Sequence, residues 1–159
     1  MTTQTSEYAL RAMVYLALRT ASATTAQDIA DACRVSSGYM AKVLQILGRA
    51  GLVTARRGLR GGFRLSRDPN QITILDVLNV VQPVQRIGCC PLGIEGHKEL
   101  CPLHRRLDEA AEHIEKSLGH TTIADLLNDP RSRPLCGAAE LGQRAADVVL
   151  NRVPVAGRN

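Results

Sequence analysis

Apolar residues recur at helical spacing through most of this chain and at strand spacing in only one short region. Tyr8, Leu10, Met13, Val14, Ala17 and Leu18 give a first helix a broad apolar face, capped by Thr5 or Ser6 and running to about Arg19. Glu7 falls in its first turn, where the helix dipole favours a carboxylate. Thr25 with Asp28 three residues on resembles a capping pair, and a short helix follows to about Cys33 with Ile29, Ala30 and Cys33 inward. Arg34, Val35 and Ser36 make a turn. Ser36 or Ser37 then caps a third helix to about Ala50, whose apolar face is Met40, Val43, Leu44 and Leu47. Gly51 ends it. Leu52 to Ala55 and Phe63 to Ser66 read as two strands of a hairpin, with Arg56 to Gly62 as its tip.

After a turn at Asp68-Pro69-Asn70, Thr73 caps a helix carrying Ile74, Leu75, Val77, Leu78 and Val81, which ends near Pro83. Arg86-Ile87-Gly88 leads into a cysteine-rich stretch from Cys89 to His104. Pro102 suits the first turn of the next helix. There Leu103, Leu107, Ala110, Ile114 and Leu118 form one stripe, with Arg105, Arg106, Asp108, Glu109, Glu112, Glu115 and Lys116 on the other side. Such a stripe packs on its own domain or pairs with the same helix of a second copy, and pairing is the favoured reading here. Gly119 is expected to stop this helix. Thr121 or Thr122 caps a short one, Ile123 to Asn128. Beyond Asp129-Pro130 the chain is rich in Pro, Arg and Gly, with a last helix expected near Ala138 to Leu150 and an incidental Cys136.

The pattern predicts a mainly α fold with a small β wing. A winged helix-turn-helix domain covers 1–82, a cysteine-rich sensor loop 83–101, a long dimerisation helix with a short following helix 102–128, and a tail 129–159. Composition agrees with a helical core: three Tyr, one Phe and no Trp leave the interior to Leu, Val, Ile, Ala and Met. No apolar run of about 18 residues predicts a membrane span. Glu7 and Arg11 interrupt any signal-like apolar stretch, so a cytoplasmic location is expected. Five cysteines in such a chain point to metal binding or redox chemistry rather than a disulfide scaffold.

Charge sharpens the picture. The net charge of +5 divides into +6 over residues 1–70 and −1 over 71–159. A solvated basic surface would give the same number, but the arginines are placed with purpose. Two helices joined by a short turn are the helix-turn-helix plan, whose second helix presents its N-terminal residues to base edges. Candidate DNA contacts are therefore Thr25, Ser36, Ser37, Gly38, Tyr39 and Lys42. Arg56, Arg57 and Arg60 with Gly61 and Gly62 make a wing tip suited to a minor groove or its phosphates. The tip has no Lys-Ser/Thr pair and no helix after its glycines, which excludes a nucleotide-phosphate loop.

Within Cys89–His104, Cys90-Pro-Leu-Gly and Cys101-Pro-Leu-His repeat one turn-like start. Soft thiolates in a glycine-rich loop suit an iron–sulfur cluster or zinc. Cys101 and His104 lie three apart at a helix start and can point the same way. Cys90 can fold back to them, and Cys89 or His97 could complete a set. Zinc is the runner-up, since structural zinc sites show two close ligand pairs and only Cys101-x-x-His104 qualifies. A metal-free alternative is a thiol switch in which Cys90 and Cys101 form a disulfide.

These residues resemble the Rrf-type winged-helix regulators, the IscR/NsrR-like family. The resemblance covers about residues 1–128 and rests on Glu7-Tyr-Ala-Leu-Arg11, Ala50-Gly-Leu-Val53, Arg57-Gly-x-x-Gly-Gly62, Ile74-Leu-Asp-Val77, the cysteine loop and Thr122-Ile-Ala-Asp-Leu126. It implies a homodimeric transcription regulator, commonly a repressor, on a palindromic double-stranded DNA operator. It also implies a two-iron or four-iron cluster sensing iron, redox state or nitric oxide. His104 matches the IscR-like fourth ligand, and Glu7, from the other subunit, stands near the NsrR-like one. This chain departs in spacing: Cys89 and Cys90 are adjacent and Cys101 follows after a gap of ten residues. An enzyme reading has little behind it, because there is no Cys-x-x-Cys, no nucleotide fingerprint and no strand–helix alternation. A protein adaptor is disfavoured by the arginines at the wing tip, since charge is depleted at the core of protein interfaces.

Overall fold

The computed structural model describes residues 3–20, 22–58, 61–91 and 99–129. The expected last helix and Cys136 lie outside the described residues, as do Arg60 and His97. Six α-helices and one hairpin follow in order: α1 (Gln4–Ala17), α2 (Ala26–Cys33), α3 (Ser37–Arg49), β1 (Val53–Arg56), β2 (Gly62–Leu65), a 3-10 turn (Pro69–Gln71), α4 (Ile74–Val81), α5 (Pro102–His120) and α6 (Ile123–Asn128). The fold is thus mostly helical with a two-stranded antiparallel wing, as the hydrophobic pattern predicts.

Helix α1 is the hub. It packs against α2, α3, α4, α6 and β2. Ala9, Ala12, Met13, Val14, Tyr15, Leu16 and Ala17 are all buried. Its start and its face differ from expectation. The cap is Thr3, whose side chain accepts from the Ser6 N–H, rather than Thr5 or Ser6. The reason is tertiary: the Gln82 side-chain oxygen accepts from the Thr3 N–H (2.8 Å) and the Ser6 hydroxyl (2.9 Å), drawing the first turn against the end of α4. Leu18, expected in the core, is the C-cap residue and is 51% exposed.

The α2–α3 pair forms as predicted. Thr25 and Asp28 make a reciprocal capping box, and Ile29, Ala30 and Cys33 are buried. Arg34 adopts a left-handed conformation (φ 55°) that turns the chain. Met40, Val43, Leu44 and Leu47 then dock α3 on the core. In the wing, both strands lie one residue from their expected bounds, pairing Val53 with Leu65 and Arg56 with Gly62. Leu52 is instead buried, and its carbonyl accepts from the Ser66 N–H. Phe63 exchanges two backbone hydrogen bonds with Thr24, which ties the wing to the segment before α2.

Capping boxes also start α4 (Thr73, Asp76) and α6 (Thr122, Asp125). Backbone bonds join their first turns, from the Ile74 N–H to the Thr121 carbonyl and from the Ile123 N–H to the Ile72 carbonyl. Helix α5 begins with Pro102 in its first turn, as expected, but does not stop at Gly119. A Cβ there would meet Leu75 Cδ2 at 3.3 Å, so Gly119 is a close-packing point between α5 and α4. Propensity alone does not distinguish a helix-ending glycine from one required by packing.

Gly62 carries two constraints at once: its φ is +145° and a Cβ would lie 2.6 Å from the Thr24 carbonyl oxygen. Gly62→Ala is expected to lower stability by about 1–3 kcal/mol, read by urea unfolding, because strain and a backbone clash add at one site.

Candidate functional site

Two surfaces carry candidate chemistry. The first is built by α2, α3 and the wing. Thr25, Ser36, Ser37, Gly38 and Lys42 are exposed at or near the N-terminal ends of their helices. Ser36 caps α3 by position only, and its side chain makes no capping hydrogen bond. Tyr39 is placed differently: its ring packs edge-on against Tyr8 (centroids 5.8 Å apart) and its hydroxyl lies 2.7 Å from that of Thr5. It therefore braces α3 on α1 while keeping part of its surface in water. Arg56 and Arg57 are exposed at the wing tip, and Gly61 donates its N–H to the Gly58 carbonyl at 2.8 Å. Between α3 and the wing runs a groove lined by Lys42, Gln45, Arg49, Thr54 and Phe63. Cationic and hydrogen-bonding groups thus edge one continuous concave face.

The second surface gathers at the N-terminus of α5. Cys101 is the N-cap residue, and His104 sits in the first turn. His104 Nδ1 lies 3.2 Å from the Cys101 sulfur and 3.8 Å from that of Cys90. Cys90 is buried and Cys89 beside it is exposed. The structure so brings together Cys90, Cys101 and His104. Glu7 stands apart on α1, ion-paired with Arg11. Among the described residues, no group of three or more His, Cys, Asp and Glu side chains is arranged as a ready-made metal cage.

Sequence reasoning passed over Arg86. Its guanidinium grips Asp108 with two hydrogen bonds of 2.7 Å and reaches Glu115 at 3.1 Å. The Ile87 N–H adds a third bond to Asp108 at 2.8 Å. These hydrogen bonds hold the Asp108 carboxyl at about 2, well below its ordinary value. The sequence shows His104, Asp108 and Glu112 recurring every four residues on one side of α5, but twenty-two residues separate Arg86 from Asp108 and nothing local links them. Farther along, Leu103, Leu107 and Ile114 are 64%, 50% and 50% exposed, and no residue of α5 is buried. The apolar stripe predicted for this helix is therefore uncovered in the single chain.

Residues 2–129 match the Rrf2 family, described as iron-dependent transcriptional regulators. The chain belongs to this family, whose members regulate transcription rather than catalyse reactions. Among solved structures it is similar to CymR, the global cysteine regulator of B. subtilis, at 27% identity and a TM-score of 0.66, covering 79% of this chain and 95% of that one. T. potens IscR has the same fold at 23% identity and a TM-score of 0.69, covering 84% and 93%. An oxidized form of Staphylococcus aureus CymR also shares it, at 20% identity and a TM-score of 0.67, covering 83% and 100%. No helix among the described residues is long and apolar enough to cross a membrane.

The depressed Asp108 carboxyl contributes stability that is present above its unfolded value near pH 4 and lost as pH falls through about 2. Between pH 4 and pH 2 the melting temperature of the wild type should therefore fall more than that of Asp108→Asn. Equal slopes in thermal melts across that window would remove the effect.

Proposed function

We propose that this chain is a homodimeric, sequence-specific DNA-binding regulator that acts in the cytoplasm, commonly as a repressor. It senses iron, redox state or nitric oxide through a cysteine-ligated cluster in the 89–104 loop. The observation that carries the sensing part is the meeting of Cys90 and Cys101 on one imidazole at the start of a helix with an uncovered apolar stripe. In a tetrahedral site with ordinary thiolate and imidazole bond lengths, sulfur and nitrogen ligands stand about 3.6 Å apart. The separations of 3.2 and 3.8 Å around His104 bracket that value, and two thiols with an imidazole are a soft donor set. As a close set these donors match ligands on a single metal centre, one iron of a two-iron cluster or zinc, whereas a four-iron cluster, with one protein ligand per iron, would need them farther apart. Cys90, Cys101 and His104 would hold the group. Cys89, or Glu7 from the other subunit, is the remaining candidate ligand. When bound, the group supplies chemistry that answers to oxidants, nitric oxide or iron supply.

The chain's own residues supply the readout. Thr25, Ser36, Ser37, Gly38, Tyr39 and Lys42 would face the major groove. Arg56, Arg57 and Arg60, with Gly61 and Gly62 allowing close approach, would meet phosphates or the minor groove. Pairing of the α5 stripes in a two-fold dimer sets the spacing of two α3 helices on a palindromic operator, about one helical turn apart or a multiple of it. Loss of a ligand contact at the start of α5 would move that helix and so change the spacing.

A second reading keeps the dimer and the DNA but replaces the cluster by a Cys90–Cys101 thiol switch. It is supported by the approach of both thiols to His104 and by similarity to CymR, the global cysteine regulator of B. subtilis.

Iron, sulfide and the visible spectrum of protein purified without oxygen separate the two. Matched iron and sulfide with a broad visible band, lost in Cys101→Ala and His104→Ala, is the expected result. Colourless protein that stays iron-free after reconstitution would leave the thiol switch. Operator affinity should fall roughly 10³–10⁵-fold between 50 and 200 mM salt if the dimer meets about six to ten phosphates. A flat salt response would count against the DNA face. Leu107→Glu combined with Ile114→Glu should yield monomers in sedimentation, since each charge would stand in the paired stripe; unchanged dimers would place the interface elsewhere.

A further inference from the structure

Arg86 belongs to none of the roles assigned above, yet it makes the densest ion-pair cluster among the described residues. It contacts Asp108 at 2.7 Å, Glu115 at 3.1 Å and Glu112 at 3.9 Å. The three carboxylates continue the side of α5 on which His104 lies, since residues three and four apart on a helix are neighbours. The segment from Arg86 to Cys90 therefore runs back along α5 and touches it twice. At one end the guanidinium and the Ile87 N–H hold Asp108. At the other, Cys90 meets His104 one helical turn earlier. Planar, two-point gripping of a carboxylate fixes direction as well as distance, which a single ion pair does not.

We propose that Arg86 is the positioning residue of the cysteine site: its clamp on α5 confines Cys90 beside His104 and Cys101. The size of the effect follows from chain length. With Arg86 anchored, Cys90 hangs on a tether of four residues, which reaches at most about 14 Å. With both the Arg86 grip and the Ile87–Asp108 bond lost, the next polar attachment upstream is Gln82, held by Thr3 and Ser6. That tether is eight residues long and reaches about 28 Å. Doubling the reach enlarges the accessible volume about eightfold and dilutes Cys90 at the site by the same factor. Surface ion pairs are weak as stabilisers of a fold, so the clamp is better suited to placing a loop than to holding the domain together.

The proposal rests on the reading of Cys90, Cys101 and His104 as one site, and its test needs no metal. Reduced, metal-free full-length protein in a Cys89→Ser background is treated with iodoacetamide, and alkylation is followed residue by residue by peptide mass spectrometry. Arg86→Ala combined with Asp108→Ala, which removes the guanidinium and the acceptor of the Ile87 N–H together, should raise the alkylation rate of buried Cys90 about fivefold or more, and each single change should raise it less. Cys33, buried in the α2 core, should stay at its wild-type rate. Arg86→Lys, which keeps the charge but loses the two-point grip, should fall between. Arg106→Ala, which breaks only a local pair with Glu109, should change nothing. An unchanged Cys90 rate in the double variant would overturn the proposal. So would a parallel rise at Cys33, which would mark general loosening of the fold. If the wild type takes up no iron and forms no Cys90–Cys101 disulfide, the sensor reading fails while the alkylation result still decides whether the clamp exists.

Discussion

Met13, Ala9 and Ala12 have none of their surface in water, and Leu16 has 2%. They lie on α1, which packs directly against α2, α3, α4, α6 and β2. A helix buried on nearly all sides must be narrow, and alanines at three of its buried positions let α2, α3 and α4 approach closely. Burial of each large apolar side chain here is worth about 1.5–3 kcal/mol, so the hub is fixed far more firmly than any ion pair on the surface. The consequence is geometric. With α1 fixed, α3 and the wing border one groove, and the first turn of α1 is bound to Gln82 at the end of α4.

From that end the chain passes through a series of attachments. Gln82 is bound to the first turn of α1, Arg86 to the middle of α5, and Cys90 to His104. Meanwhile α5 returns to the hub through Gly119 against Leu75 and through the bonds between Ile72–Ile74 and Thr121–Ile123. Cys90 is thus tied both to the α1 hub, through Gln82, and to the long helix α5, through Arg86 and His104. A change at Cys90 has two mechanical routes outward, and both pass through short polar contacts near the surface rather than through the core. Such contacts are exchangeable at low cost, whereas the packed interior resists small displacement.

The parts legible in the sequence were those governed by local rules. The capping pair at Thr25, the caps at Thr73 and at Thr122 (one of two residues offered there), the apolar face of α3, the wing and the stripe of α5 follow from spacing and turn chemistry, and the structure repeats them. The convergence of Cys101 and His104 was likewise a matter of two positions on one helical turn. What escaped was long-range. Nothing near Thr3 announces that Gln82 will draw in the first turn, and nothing at Gly119 distinguishes a helix stop from a packing notch. Arg86 was hidden for the same reason: its partners are twenty and more residues away, and a lone arginine before a loop reads as a solvated charge. Tyr39 shows the middle case, an aromatic at a groove-facing helix start whose ring is partly spent on Tyr8.

The stripe of α5 links these observations. A helix with Leu103, Leu107 and Ile114 half or more exposed on one stripe carries an unmet hydrophobic demand. Its opposite edge is acidic and engaged by Arg86, so the helix is oriented by charge on one side and left open on the other. That division makes α5 suited to couple two events. Whatever covers the stripe sets the helix axis, and whatever alters the cysteines at its first turn acts on the same axis from its end. A rigid helix of 19 residues spans about 28 Å, enough for a small rotation at the cysteine end to become a shift of several ångströms where it meets the DNA-facing unit. The clamp at Asp108 sits between those ends, at the point where loop and lever are joined.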